Sequence, residues 1–81
     1  MKTVTYTTAA TLQLRKLPAA VRERLLAKLA RYADVGAGDV TALKGQSGAA
    51  RLRVGDYRII FVETAAAISV RAVGHRREIY E

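Results

Sequence analysis

The feature that most constrains the fold of this chain is a pair of short β-prone segments joined by Gly55–Asp56. A two-residue connection of this kind is typical of a β-hairpin, because glycine readily adopts the positive φ that such turns need. The turn also sets the register of the two strands. It predicts that Val54 lies opposite Tyr57 and that Arg53 lies opposite Arg58.

The same register predicts an arginine-bearing face. Side chains alternate between the two faces of a strand, so Arg51, Arg53 and Arg58 project from one side of the sheet, with Arg51 opposite Ile60. Like charges directly opposite each other destabilise a strand pair. We therefore expect this face to bind a polyanion.

Length and charge limit the classes of protein to be considered. The 81 residues predict one domain, residues 1–81, and the absence of cysteine excludes disulfides, thiol nucleophiles and Cys-ligated zinc. The net charge of +7 favours nucleic acid or an acidic protein as a partner, although scattered solubilising charge is the plainer alternative. No segment has the length and apolarity of a signal peptide or a membrane span, so we expect a cytoplasmic protein without a membrane partner.

The remaining segments predict an α+β domain in the order β-α-α-β-β-β. Thr7 or Thr8 can cap a short helix that ends before Pro18, and Pro18 then begins a second helix that stops at Gly36–Gly38. Three strands are predicted after a loop that ends at Gly48, and they span Ala50–Val54, Tyr57–Glu63 and Ala67–Val73. The expected fold is a small, largely antiparallel sheet.

Two apolar surfaces predict how the layers pack. The second helix places apolar side chains at helical spacing, namely Val21, Leu25, Leu29 and Tyr32. The hairpin has a continuous apolar face formed by Leu52, Val54, Tyr57, Ile59 and Phe61. We expect the helical hairpin to pack on this face of the sheet. The basic residues of the second helix, which are Arg22, Arg24, Lys28 and Arg31, are interpreted as a solvated face, with rRNA contact as the alternative.

Three segments in this order resemble the RelE/ParE toxin superfamily, and the RelE branch most closely: Leu43–Gly45, Arg51–Phe61 and Val73–Tyr80. The resemblance implies a toxin that enters the ribosomal A site and cleaves mRNA. It also implies a cognate antitoxin, whose complex with the toxin binds operator DNA. The alternatives are a ParE-like inhibitor of DNA gyrase without nuclease activity and a non-toxic member kept as a co-repressor.

The resemblance also implies which residues form the site. The family's basic pair falls at Ala49 and Arg51, so only one of the two is basic here. Its other functional positions match Arg58, Arg76 and Tyr80. Together with His75 these give the predicted catalytic set of Arg51, Arg58, His75, Arg76 and Tyr80, and the predicted RNA-binding residues are Lys44, Arg53 and Arg77.

The side-chain chemistry of these residues indicates which step of RNA cleavage each could assist. Arginine stays protonated, so it can stabilise charge on a phosphate but cannot act as a base. His75 is the best candidate for general acid or base on chemistry alone, with an exposed loop histidine or a hydrogen bond to RNA as the alternative. Tyr80 could stack on a base, deliver a proton or pack back onto the sheet. The arginines could instead be solvated or paired with acids.

No cofactor or metal is expected. His75 is the single histidine, and the acidic residues form no cluster with ligand spacing. The glycines at Gly36–Gly38 lack the remainder of a phosphate-binding fingerprint.

Overall fold

A computed structural model describes residues 1–45 and 48–79. It contains two helices and five strands in the order β1 (Thr3–Tyr6), α1 (Thr8–Arg15), α2 (Ala19–Val35), β2 (Asp39–Ala42), β3 (Ala49–Val54), β4 (Tyr57–Glu63) and β5 (Ala67–His75). The sheet order is β1-β5-β4-β3-β2. The predicted α+β class and helical hairpin are confirmed.

The hairpin register is the predicted one. Val54 pairs with Tyr57, Arg53 with Arg58 and Arg51 with Ile60 across antiparallel β3 and β4. Gly55 occupies the turn with a φ of 59°, a left-handed conformation that glycine adopts without strain. The turn therefore fixes which side chains share each face of the sheet.

The sheet differs from the expected one at both edges. β2 is an additional strand that pairs antiparallel with β3, and β1 pairs in parallel with β5, which makes the sheet mixed. β2 has only four residues, too few for an alternating pattern to be recognised in the sequence. Parallel strands are connected by long crossovers and not by tight turns, so no local turn motif in the sequence predicts this pairing.

Local signals place the helix ends. The Thr7 hydroxyl accepts a hydrogen bond from the Ala10 N–H at 3.1 Å and caps α1. α2 ends at Gly36, whose φ is 73°, and the Gly36 N–H donates to the Tyr32 carbonyl. Left-handed glycine caps of this kind satisfy the last helical carbonyls and stop the helix.

Both helices pack on one face of the sheet, α1 over β5 and α2 over β3. The largest fully buried side chains are Phe61, Leu25, Leu29, Leu52, Ile59, Ile68 and Val70. Burying each contributes about 1.5–3 kcal/mol relative to exposure. The opposite face, here called the open face, carries Arg51, Arg53 and Arg58, so the fold sorts the hairpin's apolar and charged residues onto opposite sides.

Candidate nucleic-acid interface

The open face brings three of the predicted site residues together. Arg53 on β3 is exposed and lies directly opposite Arg58 on β4, while Arg51 is half-buried two residues before Arg53. Asp39 on β2 is in register with Arg53 but forms no ion pair with it. Within residues 1–45 and 48–79, Arg53 and Arg58 form no ion pair with a carboxylate.

Arg58 is held by the turn. Its Nη1 donates to the carbonyl oxygens of Gly55 and Tyr57, each at 3.1 Å. These bonds bend the guanidinium toward the turn and orient it while leaving its charge uncompensated. Because guanidinium has five N–H donors, Arg58 keeps donors for a phosphate.

Arg76 follows β5 at the same end of the sheet. Its Nε lies 3.7 Å from Oδ1 of Asp56, and its backbone N–H donates to the Asp56 carbonyl at 2.7 Å. The sequence left open whether this arginine pairs with an acid, and the structure shows that it does. The ion pair is weak because both side chains are more than half exposed.

His75 lies on the other side of the sheet from the arginines. As the last residue of β5 it is in register with Tyr57, and the two rings meet edge to face with centroids 5.4 Å apart. It lines a cleft of about 500 Å³ together with Gln13, Leu17 and Ile79. The structure therefore does not place the histidine ring on the open face with Arg53 and Arg58.

The hydrogen bonding of His75 indicates its tautomer. Its Nδ1 accepts a hydrogen bond from the Arg77 N–H at 3.2 Å, so Nδ1 carries no proton in this arrangement. In the neutral ring the proton then resides on Nε2. His75 therefore presents its Nε2–H as a donor toward the cleft. To act as a base through Nδ1, it would first have to lose the hydrogen bond from the Arg77 N–H.

The other predicted site residues are dispersed. Lys44 is exposed beyond the Ala49 end of β3. The six residues of that strand span about 17 Å, so Lys44 lies far from the Gly55 turn. The Arg77 side chain is exposed, and Tyr80 lies outside the described residues. Ala49 is buried on β3, where the resemblance implied a basic residue.

One further basic residue lies at this end of the sheet, from the helix face for which the sequence predicts solvation, with rRNA contact as the alternative. The guanidinium of Arg24 on α2 lies over Gly55, with Nη2 3.0 Å from the position that a Cβ on that glycine would occupy. The spacing of residues along a sequence predicts local helices and strands. It does not predict which turn, about thirty positions later, a helix residue will approach.

A different set of charges lies at the opposite end of β4. Lys2 Nζ contacts Glu63 Oε2 at 2.5 Å, and the Tyr32 hydroxyl donates to Glu63 Oε1 at 2.6 Å. These bonds lower the pKa of Glu63. The bond to Glu63 also raises the pKa of Tyr32 to about 12, with burial and the carboxylate charge adding to the shift.

The described residues hold no group of three or more histidine, cysteine or acidic side chains arranged for a metal ion. Among the described residues, neither helix has the length and apolarity needed to cross a membrane. The chemistry that the open face offers is charge stabilisation by guanidinium groups.

Comparison with known proteins identifies the family. A family model for the ParE toxin of type II toxin–antitoxin systems matches residues 4–80. No curated protein sequence matches the chain. The chain therefore belongs to the ParE toxin family, within the RelE/ParE superfamily that its motifs resemble.

Solved structures agree on the fold. The RelB–RelE antitoxin–toxin complex from Methanococcus jannaschii is 25% identical with a TM-score of 0.78, over 94% of each chain. The RelBE2 toxin–antitoxin complex from Mycobacterium tuberculosis is 23% identical with a TM-score of 0.80, over 93% of this chain and 98% of that one. The E. coli DinJ–YafQ complex is 12% identical with a TM-score of 0.77, over 99% and 98%.

Proposed function

We propose that this toxin is a ribosome-dependent mRNA endonuclease that needs no metal or organic cofactor. The observation that carries the proposal is the open face, where Arg53 and Arg58 lie opposite each other and neither forms an ion pair with a carboxylate of the described residues. Such a pair is unfavourable in the free protein. A phosphate placed between the two guanidinium groups would relieve the repulsion.

Cleavage by internal attack forms a bond from the ribose 2′-oxygen to phosphorus and breaks the bond from phosphorus to the 5′-oxygen. The 2′-hydroxyl passes its proton to a water molecule, and the 5′-oxygen takes a proton from the Tyr80 hydroxyl. Arg51 and Arg58 stabilise the negative charge on the phosphate, and Arg76 can join them by leaving Asp56. Of the three roles predicted for Tyr80, we assign it that of proton donor, and the ribosome positions the mRNA.

The position of the His75 ring favours one of the roles predicted for it. Since its ring is on the helix side and presents Nε2–H, we assign it a hydrogen bond to RNA rather than the role of base. Lys44 and Arg77 would contact RNA backbone outside the cleavage site.

The proposal includes the partners implied by the family. A cognate antitoxin, acidic at least in part, would neutralise the toxin, and operator DNA would be bound only through that complex. The structural relatives are themselves solved as RelB–RelE, RelBE2 and DinJ–YafQ complexes. Action on ribosomes requires that the toxin work in the cytoplasm.

Inhibition of DNA gyrase is the second candidate function. Two observations favour it: the matching family model is that of ParE toxin, and the described open face lacks a histidine. A gyrase inhibitor needs no acid or base, because it acts by binding alone.

One experiment separates the two functions. Toxin made by cell-free synthesis is added to a reporter mRNA with and without ribosomes, and cleavage is mapped by primer extension while gyrase supercoiling is assayed in parallel. We expect cleavage only when ribosomes are present, and its loss in Arg58→Ala. Intact mRNA with inhibited supercoiling would overturn the nuclease proposal, and intact mRNA with normal supercoiling would indicate a non-toxic co-repressor.

Arg31→Ala is the matched control for this experiment. Arg31 is an exposed arginine of α2 that forms no ion pair or side-chain hydrogen bond with the described residues. Its replacement removes the same charge as Arg58→Ala, so equal losses in both variants would indicate an effect of net charge alone.

A further inference from the structure

Arg24 extends the basic surface beyond the open face. It belongs to α2, in the helix layer, yet its guanidinium covers Gly55 at the end of the hairpin. Among the described residues it makes no side-chain hydrogen bond and no ion pair. Its charge is therefore uncompensated at a turn that already carries arginines from the sheet.

Three guanidinium groups from three different elements meet at this turn. Arg24 comes from α2, Arg58 from β4 and Arg76 from the segment after β5, and Asp56 is the one carboxylate that pairs with any of them in the described residues. Arg24 Nη2 lies 3.0 Å from the position that a Cβ on Gly55 would occupy, and Arg58 Nη1 lies 3.1 Å from the Gly55 carbonyl oxygen. These two distances place the nitrogens within about 10 Å of each other. That separation is close to the Debye length at ~0.1 M salt, ~10 Å, so their fields add.

We propose that Arg24 binds an RNA phosphate next to the one held by Arg58 and Arg76 at the Gly55–Asp56 turn, so that the RNA-binding surface continues from the open face around the end of the sheet to α2. This inference rests on the proposed nuclease function and names a residue outside the predicted site. Arg24 is a binding residue in this proposal, because it would contact phosphate away from the bond that is cleaved.

The chemistry of the turn favours RNA over a protein partner. Protein interfaces have apolar and aromatic residues at their core. The turn instead presents guanidinium groups, a carboxylate and the backbone of a glycine. Planar guanidinium groups suit phosphate oxygens, and arginine is a common donor to nucleic-acid backbones.

Asp56 is an internal competitor for the same site. Its carboxylate occupies one side of Arg76 at 3.7 Å, in an ion pair whose members have 52% and 66% of their side-chain surface exposed. Exposed pairs of this kind are weak, so an incoming phosphate can displace the carboxylate. Removing the negative charge of Asp56 should therefore strengthen RNA binding.

The test measures binding separately from cleavage. The full-length chain is titrated with a short single-stranded 2′-O-methyl oligoribonucleotide, which cannot undergo internal attack, at several salt concentrations. Removing one arginine that binds a phosphate should reduce the slope of log K against log salt by about 0.7 and weaken binding roughly fivefold at 0.1 M salt. We expect this result for Arg24→Ala, and tighter binding for Asp56→Asn.

Arg31→Ala again supplies the matched control. Arg31 lies seven residues after Arg24, so it occupies the same face of α2 about 10 Å farther along the helix. We expect its replacement to leave the slope unchanged. Equal losses of affinity in Arg24→Ala and Arg31→Ala would mean that the whole helix face attracts RNA, and would overturn the assignment to the turn.

The remaining outcomes also decide the proposal. An unchanged salt slope with a lower Tm in Arg24→Ala would show that the contact with Gly55 is only structural. Weaker binding of the cognate antitoxin with unchanged RNA binding would make the turn a protein-docking site. Either result overturns the inference while leaving nuclease activity intact, whereas failure of the nuclease proposal appears as uncleaved mRNA with ribosomes present.

Discussion

The two ends of β4 hold charged residues in opposite ways. At the Glu63 end, Lys2 and Tyr32 both bond the same carboxylate, and the Lys2 ammonium also donates to the Thr64 carbonyl. At the Tyr57 end, guanidinium groups lie close together, and within the described residues one exposed carboxylate, that of Asp56, pairs with them. The first arrangement joins the N-terminal segment, α2 and β4 to one another, whereas the second leaves positive charge for a ligand to neutralise.

This difference separates stability from function within one strand. Charges that satisfy one another stabilise the protein and offer little to a ligand, whereas charges that repel one another cost stability and attract a partner of opposite sign. Substitutions at the Glu63 end should therefore change the Tm, and substitutions at the turn should change activity.

The largest expected effect follows Arg58→Ala. Removing a donor that stabilises developing charge typically costs about 10²–10³ in rate, so we expect a loss of that size in ribosome-dependent mRNA cleavage. The Tm should change little, because the bond from Arg58 to the Gly55 carbonyl is exposed and the bond to the Tyr57 carbonyl is only partly buried. Arg58→Lys should recover only part of the rate, since an ammonium lacks the planar fork. Cleavage at the wild-type rate in Arg58→Ala would contradict the assignment of function to the Tyr57 end of β4.

Tyr32→Phe should have the reverse profile. It removes the hydrogen bond to Glu63 while the ring still packs against Phe61, so we expect a loss of about 1 kcal/mol and a Tm lower by about 4–8 °C. Cleavage at a temperature where the variant is folded should be unchanged. A rate defect without a change in Tm would mean that the Glu63 end takes part in function.

Replacement of Gly55 sharpens the comparison, because this glycine serves both the backbone and Arg24. Gly55→Ala should cost about 1 kcal/mol, since alanine tolerates a φ of 59° poorly, and Gly55→Asn should cost less because asparagine tolerates the left-handed region. Both introduce a Cβ that meets the Arg24 guanidinium. We therefore expect equal losses of RNA affinity in the titration but unequal changes in Tm. Unaltered RNA affinity in both variants would show that the position of Arg24 is unimportant for binding.

The smallest effect is the pH dependence of stability. The pKa of Glu63 is lowered in the folded state, so its contribution is present above the ordinary pKa of a glutamate, about 4.3, and is lost as the pH falls through the folded value. The pKa of Tyr32 is raised from about 10 to about 12, so its contribution is complete below pH ~10 and is lost as the pH rises toward ~12.

Thermal melts across pH measure both losses of stability. We call the fall in Tm at low pH the acid limb and the fall in Tm at high pH the alkaline limb. Glu63→Gln should flatten the acid limb, and Tyr32→Phe should flatten the alkaline limb. Asp56→Asn is the control from the opposite end of β4, and we expect it to leave both limbs in place. Retention of the acid limb in Glu63→Gln would assign that limb to a different carboxylate.

Much of the hairpin could be predicted from sequence because its determinants are local. Gly55 requires a tight turn, and the turn sets the pairing of Arg53 with Arg58 and the separation of the charged and apolar faces. The capping residue Thr7 and the stop at Gly36 follow from equally local chemistry. Each of these predictions depends on residues within a few positions of one another.

The parts that sequence did not reveal depend on longer range or finer geometry. The sequence predicts that β5 ends at Val73, whereas the strand extends to His75. This extension keeps His75 in the ladder opposite Tyr57, on the helix side of the sheet. In addition, the pairing of β4 with β5 shifts register between Ile60 and Phe61, so the partners along β5 do not follow one another without interruption. Arg24 is brought to the turn by packing of α2 on the sheet, which helical spacing alone does not encode.

The parallel pairing of β1 with β5 has a consequence for synthesis of the toxin. Thr3 finds its partner at Ala67, nearly the whole length of the chain later, so a nascent polypeptide cannot close its sheet while the last strand is still inside the exit tunnel. The complete five-stranded sheet therefore forms only after β5 has left the ribosome.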